Sequence, residues 1–338
     1  MSEKHYVIIG NGASANRAAD VIRQGDNQGR ITLISDEFFP FYYRHLLCKY
    51  LSGEEEESAL IVRPPAYYKE MNIRLRLGQR VVKADLAAQT LYLDHMEKIH
   101  YTSLLLCSGG KPKIPEIFYS CRECFTVLKT LADVRRLRAR LPEIEHVLIV
   151  GGDIVSVRFA AALRKKDIRV SFMVDEKSFW PLELSVDKKQ EFCSVIAAKG
   201  CDIINDNTLR HIEINGRGYQ VETSSGMTLK ADVVGAFFGM TPDIDYLFGS
   251  GLDMERGILV DDHLKTNVEN VYAAGDCAQV YNPQIRNYWV SIGWSNAEKL
   301  GEVAARNILG DSLAIDQPRT SILNYEGITV ATEWWKEF

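Results

Sequence analysis

The feature that most restricts this chain is a pattern it contains twice. "HYVIIGNGASANRAADVIRQGDNQGRITLIS" runs from an apolar strand through a glycine turn into helical spacing, then out into a second apolar strand. "HVLIVGGDIVSVRFAAALRKKDIRVSFMVD" says the same again from His146 onward. A short run that is apolar throughout, rather than alternating, suits a strand buried on both faces of a parallel sheet. Two such strands joined by a helix make a βαβ unit with a right-handed crossover. The expected class is therefore α/β with two parallel sheets, and 338 residues suit two or three domains.

The first turn, "VIIGNGASA", spells Gly10-x-Gly12-x-x-Ala15. Gly10 makes the tight bend, Gly12 lets backbone approach a pyrophosphate, and Ala15 lets the helix lie close to the strand. The helix start, with Ala13 and Ser14, offers N–H groups and the positive end of the helix dipole to phosphate. An acid should follow the second strand to bind a ribose hydroxyl. Asp36 supplies it with Glu37 beside it, although Ser35 takes the first place after the apolar run. The competing reading is a glycine turn with no ligand, and the strand–turn–helix setting weighs against it.

The second turn departs from this pattern. Gly151 and Gly152 are present, but Asp153 stands where the second glycine belongs and Ser156 where the third does. Asp153 adds a side chain where backbone should touch phosphate. It also adds charge of the wrong sign, and two unit charges ~4 Å apart repel by ~1 kcal/mol in bulk water and by more in a cleft. Ser156 still permits close packing. Asp175 and Glu176 follow the strand "RVSFMV", where an acid selects NAD over NADP.

Between the two patterns and after them lie connecting pieces. "SANRAADVIRQG" closes on Gly25, a C-cap residue by type. "LRLGQRVVKADLAAQTLYLDH" and "HIEINGRGYQVETSSGMTLKADVVGAFF" read as β-meanders, "TLADVRRLRARLP" and "SNAEKLGEVAARNILG" as helices, and the run "EEEE" at 54–57 as a solvated loop. The net charge of −5 argues against a nucleic-acid partner, whose footprint is a basic stripe. No apolar run reaches the roughly 18–20 residues of a bilayer span, and a strand beginning near His5 leaves no room for a signal peptide. Seven scattered cysteines fit a reducing, cytoplasmic setting. Cys121 and Cys124 form a C-x-x-C read as a loop pair rather than a redox dithiol, and no metal site is expected.

The stretch "TNVENVYAAGDCA" (266–278) places a Thr, a short gap, an apolar strand and Gly-Asp in series. With it go "LLLCSGGKPKIP" (104–115), "GAFFGMTPDIDYL" (235–247) and "GILVDDHLKT" (257–266). Together they resemble the pyridine nucleotide–disulfide oxidoreductase superfamily over about residues 5–315. "FPFYYRHLLCKYLSG" resembles in particular the branch of rubredoxin reductases and the flavin module of assimilatory nitrite reductases. The resemblance implies a glutathione-reductase-like fold of two Rossmann-like dinucleotide-binding domains. An FAD-binding domain would be split into 1–112 and 243–317, with an NAD-type domain inserted at 113–242. A short tail, 318–338, stands where relatives continue, so the C-terminal interface domain is expected to be largely absent.

By the same resemblance, Asp276 would hydrogen-bond the ribityl chain of FAD, and Ser108 and Gly109 would line the cofactor. The backbone of Val81 would contact adenine, and the helix starting at Trp294 and Ser295 would aim its N-terminus at the flavin pyrimidine ring. NAD(H), where it binds, would use Gly151, Gly152, Asp153, Ile154, Asp175 and Gly239. The branch with paired cysteines carries C-x4-C, which this chain lacks. Its single Cys48 lies two positions from the reactive thiol of the single-cysteine branch and is read as a small buried residue. Electrons would then leave the flavin directly. A Lys–Glu pair of the rubredoxin-reductase branch becomes Arg44 and Arg158. Two such cations call for an acid within reach (an anion, a carboxylate of this chain or one from a partner) unless one swings to solvent.

These readings imply an FAD-dependent oxidoreductase passing electrons between NAD(P)H and an iron–sulfur or other redox protein. The alternative is an FAD-carrying subunit of a multi-subunit redox complex with a degraded nicotinamide site, and a weaker third is a flavin-stabilised scaffold without turnover. The tail aromatics Trp334, Trp335 and Phe338 would either dock a partner or fold back on the chain.

Overall fold

Ten strands of the computed structural model fall into two five-stranded parallel sheets built on one plan. The structure describes residues 3–175, 178–179, 182, 184–284, 286–291 and 293–315, together with strands at 320–325, 328–333 and 335–337. The first sheet holds His5–Ile9 (β1), Arg30–Ile34 (β2), Ile73–Arg76 (β3), Ser103–Leu106 (β4) and Val271–Ala273 (β10), in the order β10-β4-β1-β2-β3. The second holds Phe125–Thr126 (β5), His146–Val150 (β6), Arg169–Met173 (β7), Asp202–Ile204 (β8) and Val233–Ala236 (β9), in the order β5-β9-β6-β7-β8. β1 and β6 are buried along their whole length, as apolar central strands must be.

The likeness extends to single atoms. Each central strand begins with a buried histidine. In the first sheet, His5 Nδ1 lies 2.5 Å from the carbonyl of His100 and Nε2 2.9 Å from Thr32 Oγ1 on β2. In the second, His146 Nδ1 lies 2.7 Å from the carbonyl of Lys230 and Nε2 2.8 Å from Ser171 Oγ on β7. Burial, aided by Arg30, pushes His5 down to about 4, and burial lowers His146 as well. Both rings are therefore neutral clips between adjacent strands.

Helix Ala13–Gly25 (α1) follows β1 and packs on Trp294–Leu309 (α5). The approach is close enough that a Cβ on Gly301 would overlap the backbone of Ser14. Gly25 is the last helical residue rather than the cap; Asp26 caps the helix in an extended conformation. A Cβ at Gly25 would meet Leu309 Cδ1 at 2.5 Å, so the glycine serves packing and not a left-handed turn. Gly310, with φ +111°, does end α5 as a C-cap glycine.

The chain leaves the first sheet through Gly110–Pro112 and returns through Met240–Pro242, and these two strands pair antiparallel. The meanders form at 81–100 and at 209–231. The second of them ends sooner than its sequence suggested: Val233–Ala236, buried at every position, leaves it to become β9 of the parallel sheet. The last strand, Trp335–Glu337, pairs with Asn287–Ser291, so the tail folds back on its own chain. Trp334, Phe338 and Glu176 lie outside the described residues.

Helix Leu47–Ser52 (α2) precedes the crossing in sequence yet packs with the second sheet. Leu47, Cys48, Tyr50 and Leu51 share one apolar core with Leu131, Val157, Phe159 and Leu163. The acidic run beside it is not simply solvated. Glu54 pairs with Lys165 at 2.6 Å, on the turn after helix Ile154–Arg164 (α4). Glu57 accepts from Arg135 Nε at 2.7 Å, on helix Leu131–Arg140 (α3). The run faces two cationic helices, and two of its glutamates form exposed ion pairs with them.

Candidate functional site

The carboxyl ends of β1, β4 and β10 converge on one cleft, where parallel α/β sheets bind ligands. Gly10, with φ +120°, sits where a Cβ would overlap the Cys107 carbonyl, so the turn admits only glycine. Gly12 caps α1 with no side-chain bond. A Cβ built on Gly12, on Gly109 (φ +68°) or on Gly293 (φ +104°) meets nothing within 4 Å. Three backbone segments thus present open space at the mouth of the strands. Ala13, Ser14 and Ala15 are buried at the helix start, and Ser14 Oγ reaches the Ala274 carbonyl at 3.5 Å.

A buried amide shapes the turn from behind. Asn16 Nδ2 donates to the Gly12 carbonyl at 3.0 Å and to Asn11 Oδ1 at 2.9 Å. Tyr68 OH donates to Asn16 Oδ1 at 2.6 Å, and Arg63 Nη1 donates to the Asn16 carbonyl at 2.9 Å. Sequence reading passed over all three. The signal available was Asn16 itself, one amide in a run of small residues on a buried helix.

The floor of the cleft carries charge. Asp276 is solvent-exposed, yet the protein around it raises its pKa, while the cations of Lys129 and Arg44 pull it down. Arg44 Nη2 lies 2.5 Å from Glu37 Oε1, and Nη1 donates to Tyr42 OH at 2.8 Å and to the Lys129 carbonyl at 3.0 Å. Lys129 Nζ donates to the Gly110 carbonyl at 2.5 Å, and burial, with Arg44 near, pushes its pKa down to about 8. The acid that Arg44 calls for is thus Glu37 of the same chain. Arg158 is exposed, and its charge is felt at His45, next to Arg44 in sequence, and at Cys48. Lys129 was not foreseen, because nothing in "TVLKTL" marks a lysine that folds back under a distant loop.

At the other end of the cleft, Asp36 accepts from Arg80 Nη2 at 2.9 Å. The backbone is laced here: Gln79 N–H donates to the Ser35 carbonyl at 2.9 Å and Gly78 N–H to that of Glu37 at 3.0 Å. These bonds bring the segment that leads into buried Val81 to the segment that carries Asp36. At the near end, Ser108 Oγ receives a 3.4 Å bond from Tyr246 OH. Trp294 stacks on Phe41 at 5.1 Å and meets Tyr43 at 5.5 Å, while Ser295 beside it is exposed.

The second turn has the same frame and a different filling. Gly151 (φ +87°) again sits where a Cβ would meet a carbonyl, that of Phe237 at 2.5 Å. Asp153, however, caps α4 with its own carboxylate, accepting from the N–H of Val155 at 2.9 Å and of Ser156 at 3.0 Å. Burial pushes its pKa up to about 6. Ile154 opens the helix. Asp175 N–H donates to Ser178 Oγ at 2.9 Å, and that hydroxyl donates to the Gly151 carbonyl at 2.9 Å. Phe179 N–H donates to the Gly152 carbonyl. Gly239 (φ +84°) ends the loop that packs Phe237 and Phe238 against Gly151.

A family model described as "Pyridine nucleotide-disulphide oxidoreductase" matches residues 4–297. The chain belongs to that family. It is 30% identical over 274 residues to a rhodocoxin reductase from Rhodococcus erythropolis, covering 80% of this chain and 64% of that protein. It thus spans just under two thirds of that relative's length. It is also 30% identical over 312 residues to the ferredoxin–NAD(+) reductase component of an anthranilate 1,2-dioxygenase system from Burkholderia cepacia, covering 92% of this chain and 77% of that protein. The solved ferredoxin reductase from Rhodopseudomonas palustris superposes with a TM-score of 0.87 at 25% identity, over 96% of this chain and 80% of that one.

Members of this family carry FAD, and the first cleft fits it. At Gly12, Gly109 and Gly293 the backbone faces open space, with no side chain in front of it. The start of α1 suits a pyrophosphate, and the cations at the floor suit an electron-rich ring system. Cys48, 7% exposed, has its thiol pushed up to about 12 by burial, so it is a packing residue. All seven cysteines are free thiols. Among the described residues no helix is long and apolar enough to cross a membrane.

Proposed function

We propose that the chain is an FAD-dependent oxidoreductase that passes electrons between NAD(P)H and an iron–sulfur protein partner. The observation that carries this reading is the open glycine cradle at the ends of β1, β4 and β10, with Asp276, Arg44 and Lys129 at its floor. Gly10, Gly12, Ala13, Ser14 and Ala15 would hold the pyrophosphate, Asp36 the ribose, and the backbone of Val81 the adenine. Ser108, Gly109 and Asp276 would hold the ribityl chain. The start of α5 at Trp294 and Ser295 would present its positive dipole end to the ring. FAD, when bound, takes up two electrons together and releases them singly. Arg44, held by Glu37 and Tyr42, would supply a positive charge at that end of the cofactor.

The corresponding domains are 1–112 with 243–317, and 113–242 between them, a division supported by the paired crossing strands Gly110–Pro112 and Met240–Pro242. A cytoplasmic setting is part of the proposal and rests on the seven free thiols. The second reading, an electron-transfer subunit of a larger complex, is favoured by one observation: the self-capped turn at Asp153. Anaerobic mixing of the purified holoprotein with NADH tests the choice. Fast bleaching of the flavin band, followed by reduction of an added ferredoxin, is the expected result. A flavin that stays oxidised leaves the second reading, and a protein that releases no FAD on heat or acid overturns both.

A further inference from the structure

The two departures of the second glycine turn act as one device. Asp153 Oδ1 accepts from the N–H of Val155 and of Ser156, and Ser156 Oγ returns a 2.5 Å bond to the Asp153 carbonyl. The pair is closed off: Asp153 is 9% exposed and Ser156 fully buried. At the matching place in the first unit Gly12 contributes no side chain, and the space in front of it is open. A helix start has four N–H groups without intrahelical partners, and these are what hold a nucleotide phosphate. In the second unit, two of them already hold a carboxylate that arrives with the chain.

We infer that Asp153 and Ser156 form an internal stand-in for the nucleotide phosphate, a latch that a nicotinamide dinucleotide must displace to bind the second unit. The inference rests on reading that unit as the nicotinamide site, and it names the residues that set its affinity. Three observations support it. The frame around the turn is intact, since Gly151 and Gly152 keep the positive φ of a nucleotide loop. Asp175, the ribose acid by position, is tied through Ser178 to the carbonyl of Gly151, so the strand end and the turn are held in register. At the helix start two of the N–H donors are occupied, by the Asp153 carboxylate. A competitor attached to the site acts at an effective concentration on the order of millimolar or higher, so displacement weakens every dinucleotide alike, NAD(H) and NADP(H).

The latch differs from simple repulsion, and two variants separate them. Asp153→Asn keeps an oxygen acceptor for the two N–H groups and removes the charge; Asp153→Gly removes both. NAD+ binding to the FAD-loaded protein would be measured by calorimetry, with NADH fluorescence as a second readout and FAD content as the control for folding. The expected result is weak binding by the unaltered protein, at least tenfold tighter binding by Asp153→Gly, and less than a third of that gain in Asp153→Asn. Ser156→Gly, which drops the return bond, should move affinity in the same direction by a smaller factor and provides the test if Asp153→Gly does not fold. Equal gains in Asn and Gly variants would show charge alone at work and overturn the latch. Tight binding by the unaltered protein, unchanged by Asp153→Gly, would overturn the latch while keeping the nicotinamide reading. No binding by any variant would overturn that reading and the latch with it.

Discussion

The two parallel sheets of this chain share the order of four strands, the register of the central ones and even a buried histidine clip; their fifth strands come from opposite ends of the unit, and their helix starts differ. α1 begins at Gly12 with no side chain in the way; α4 begins at Asp153 with a carboxylate already in place. Everything that makes a Rossmann unit fold lies outside that position. His5 and His146 hold neighbouring strands, Gly10 and Gly151 pass under a carbonyl, and the central strands are buried end to end. A unit can therefore keep its architecture while the start of its helix changes.

The sharpest way to break the comparison is to move the difference. Gly12→Asp should convert the first unit to the second. The fold tolerates it, because a Cβ there meets nothing, and an Asp N-cap stabilises a helix start over Gly by only a few tenths of a kcal/mol. FAD affinity should fall by about 100-fold or more, equivalent to about 2.7 kcal/mol, as a carboxylate takes the pyrophosphate donors. The readout is flavin bound per chain after purification, beside an unchanged thermal midpoint of the flavin-free protein. Retention of full FAD would show that the donors at α1 do not carry the pyrophosphate. Asp276→Ala should also empty the site, by about tenfold or more, since it leaves a sugar hydroxyl unpaired and removes a negative charge felt by Lys129 and Arg44.

The helix-start difference was visible in the sequence, but its mechanism was not. Gly12 against Asp153 can be read from two aligned strings, and so can the strands, whose apolar runs have no polar face. That the Asp153 carboxylate turns back on its own helix depends on a rotamer, which spacing does not encode. The segments that carry Asp36 and Val81 come together through backbone bonds between residues 35–37 and 76–79 and through the Arg80–Asp36 pair. Lys129 is tied to the cleft by its bond to the Gly110 carbonyl, on a crossing strand 19 residues earlier. The run at 54–57 resembled a solvated loop because acidic runs usually are; the cations it meets are about a hundred residues away in Lys165 and about eighty away in Arg135. α2 likewise belongs to the first half by sequence and to the second core by packing.

The histidine clips predict where the two units behave alike. His5 has its folded pKa near 4 against an ordinary 6.5, and His146 is lowered too. A lowered folded pKa means that the unfolded chain binds more protons between these values, so stability rises with pH there and is lost as pH falls from about 6.5 toward 4. For His5 the full swing is up to about 3 kcal/mol. Buried Asp153, raised to about 6, has the opposite sign over part of that range: the cost of burying its charge disappears as the carboxyl protonates. Difference measurements separate them. His5→Gln should lower the midpoint at pH 7 by the equivalent of about 1–2 kcal/mol and flatten the slope below pH 6.5. An unchanged slope would mean that the clip does not titrate as a neutral ring.

The smallest expected effect concerns the seam between the units. Cys48 sits on α2, within the second unit's core, with its thiol pushed up to about 12 and the charges of Arg158 and Asp153 both felt there. A thiolate is the reactive form, and at that pKa almost none exists near neutrality. Cys48→Ala should therefore destabilise by about 1 kcal/mol through lost packing and leave electron transfer from NADH to an added ferredoxin within a factor of two. The unaltered protein should also resist alkylation at this position at pH 8 while folded, read by mass spectrometry of the peptide. Rapid labelling, or a collapse of electron transfer in the alanine variant, would place a working thiol at the boundary between the two units. In that case the first cleft would not hand on its electrons directly, and the contrast between an open and a latched helix start would no longer be the main functional difference between the halves.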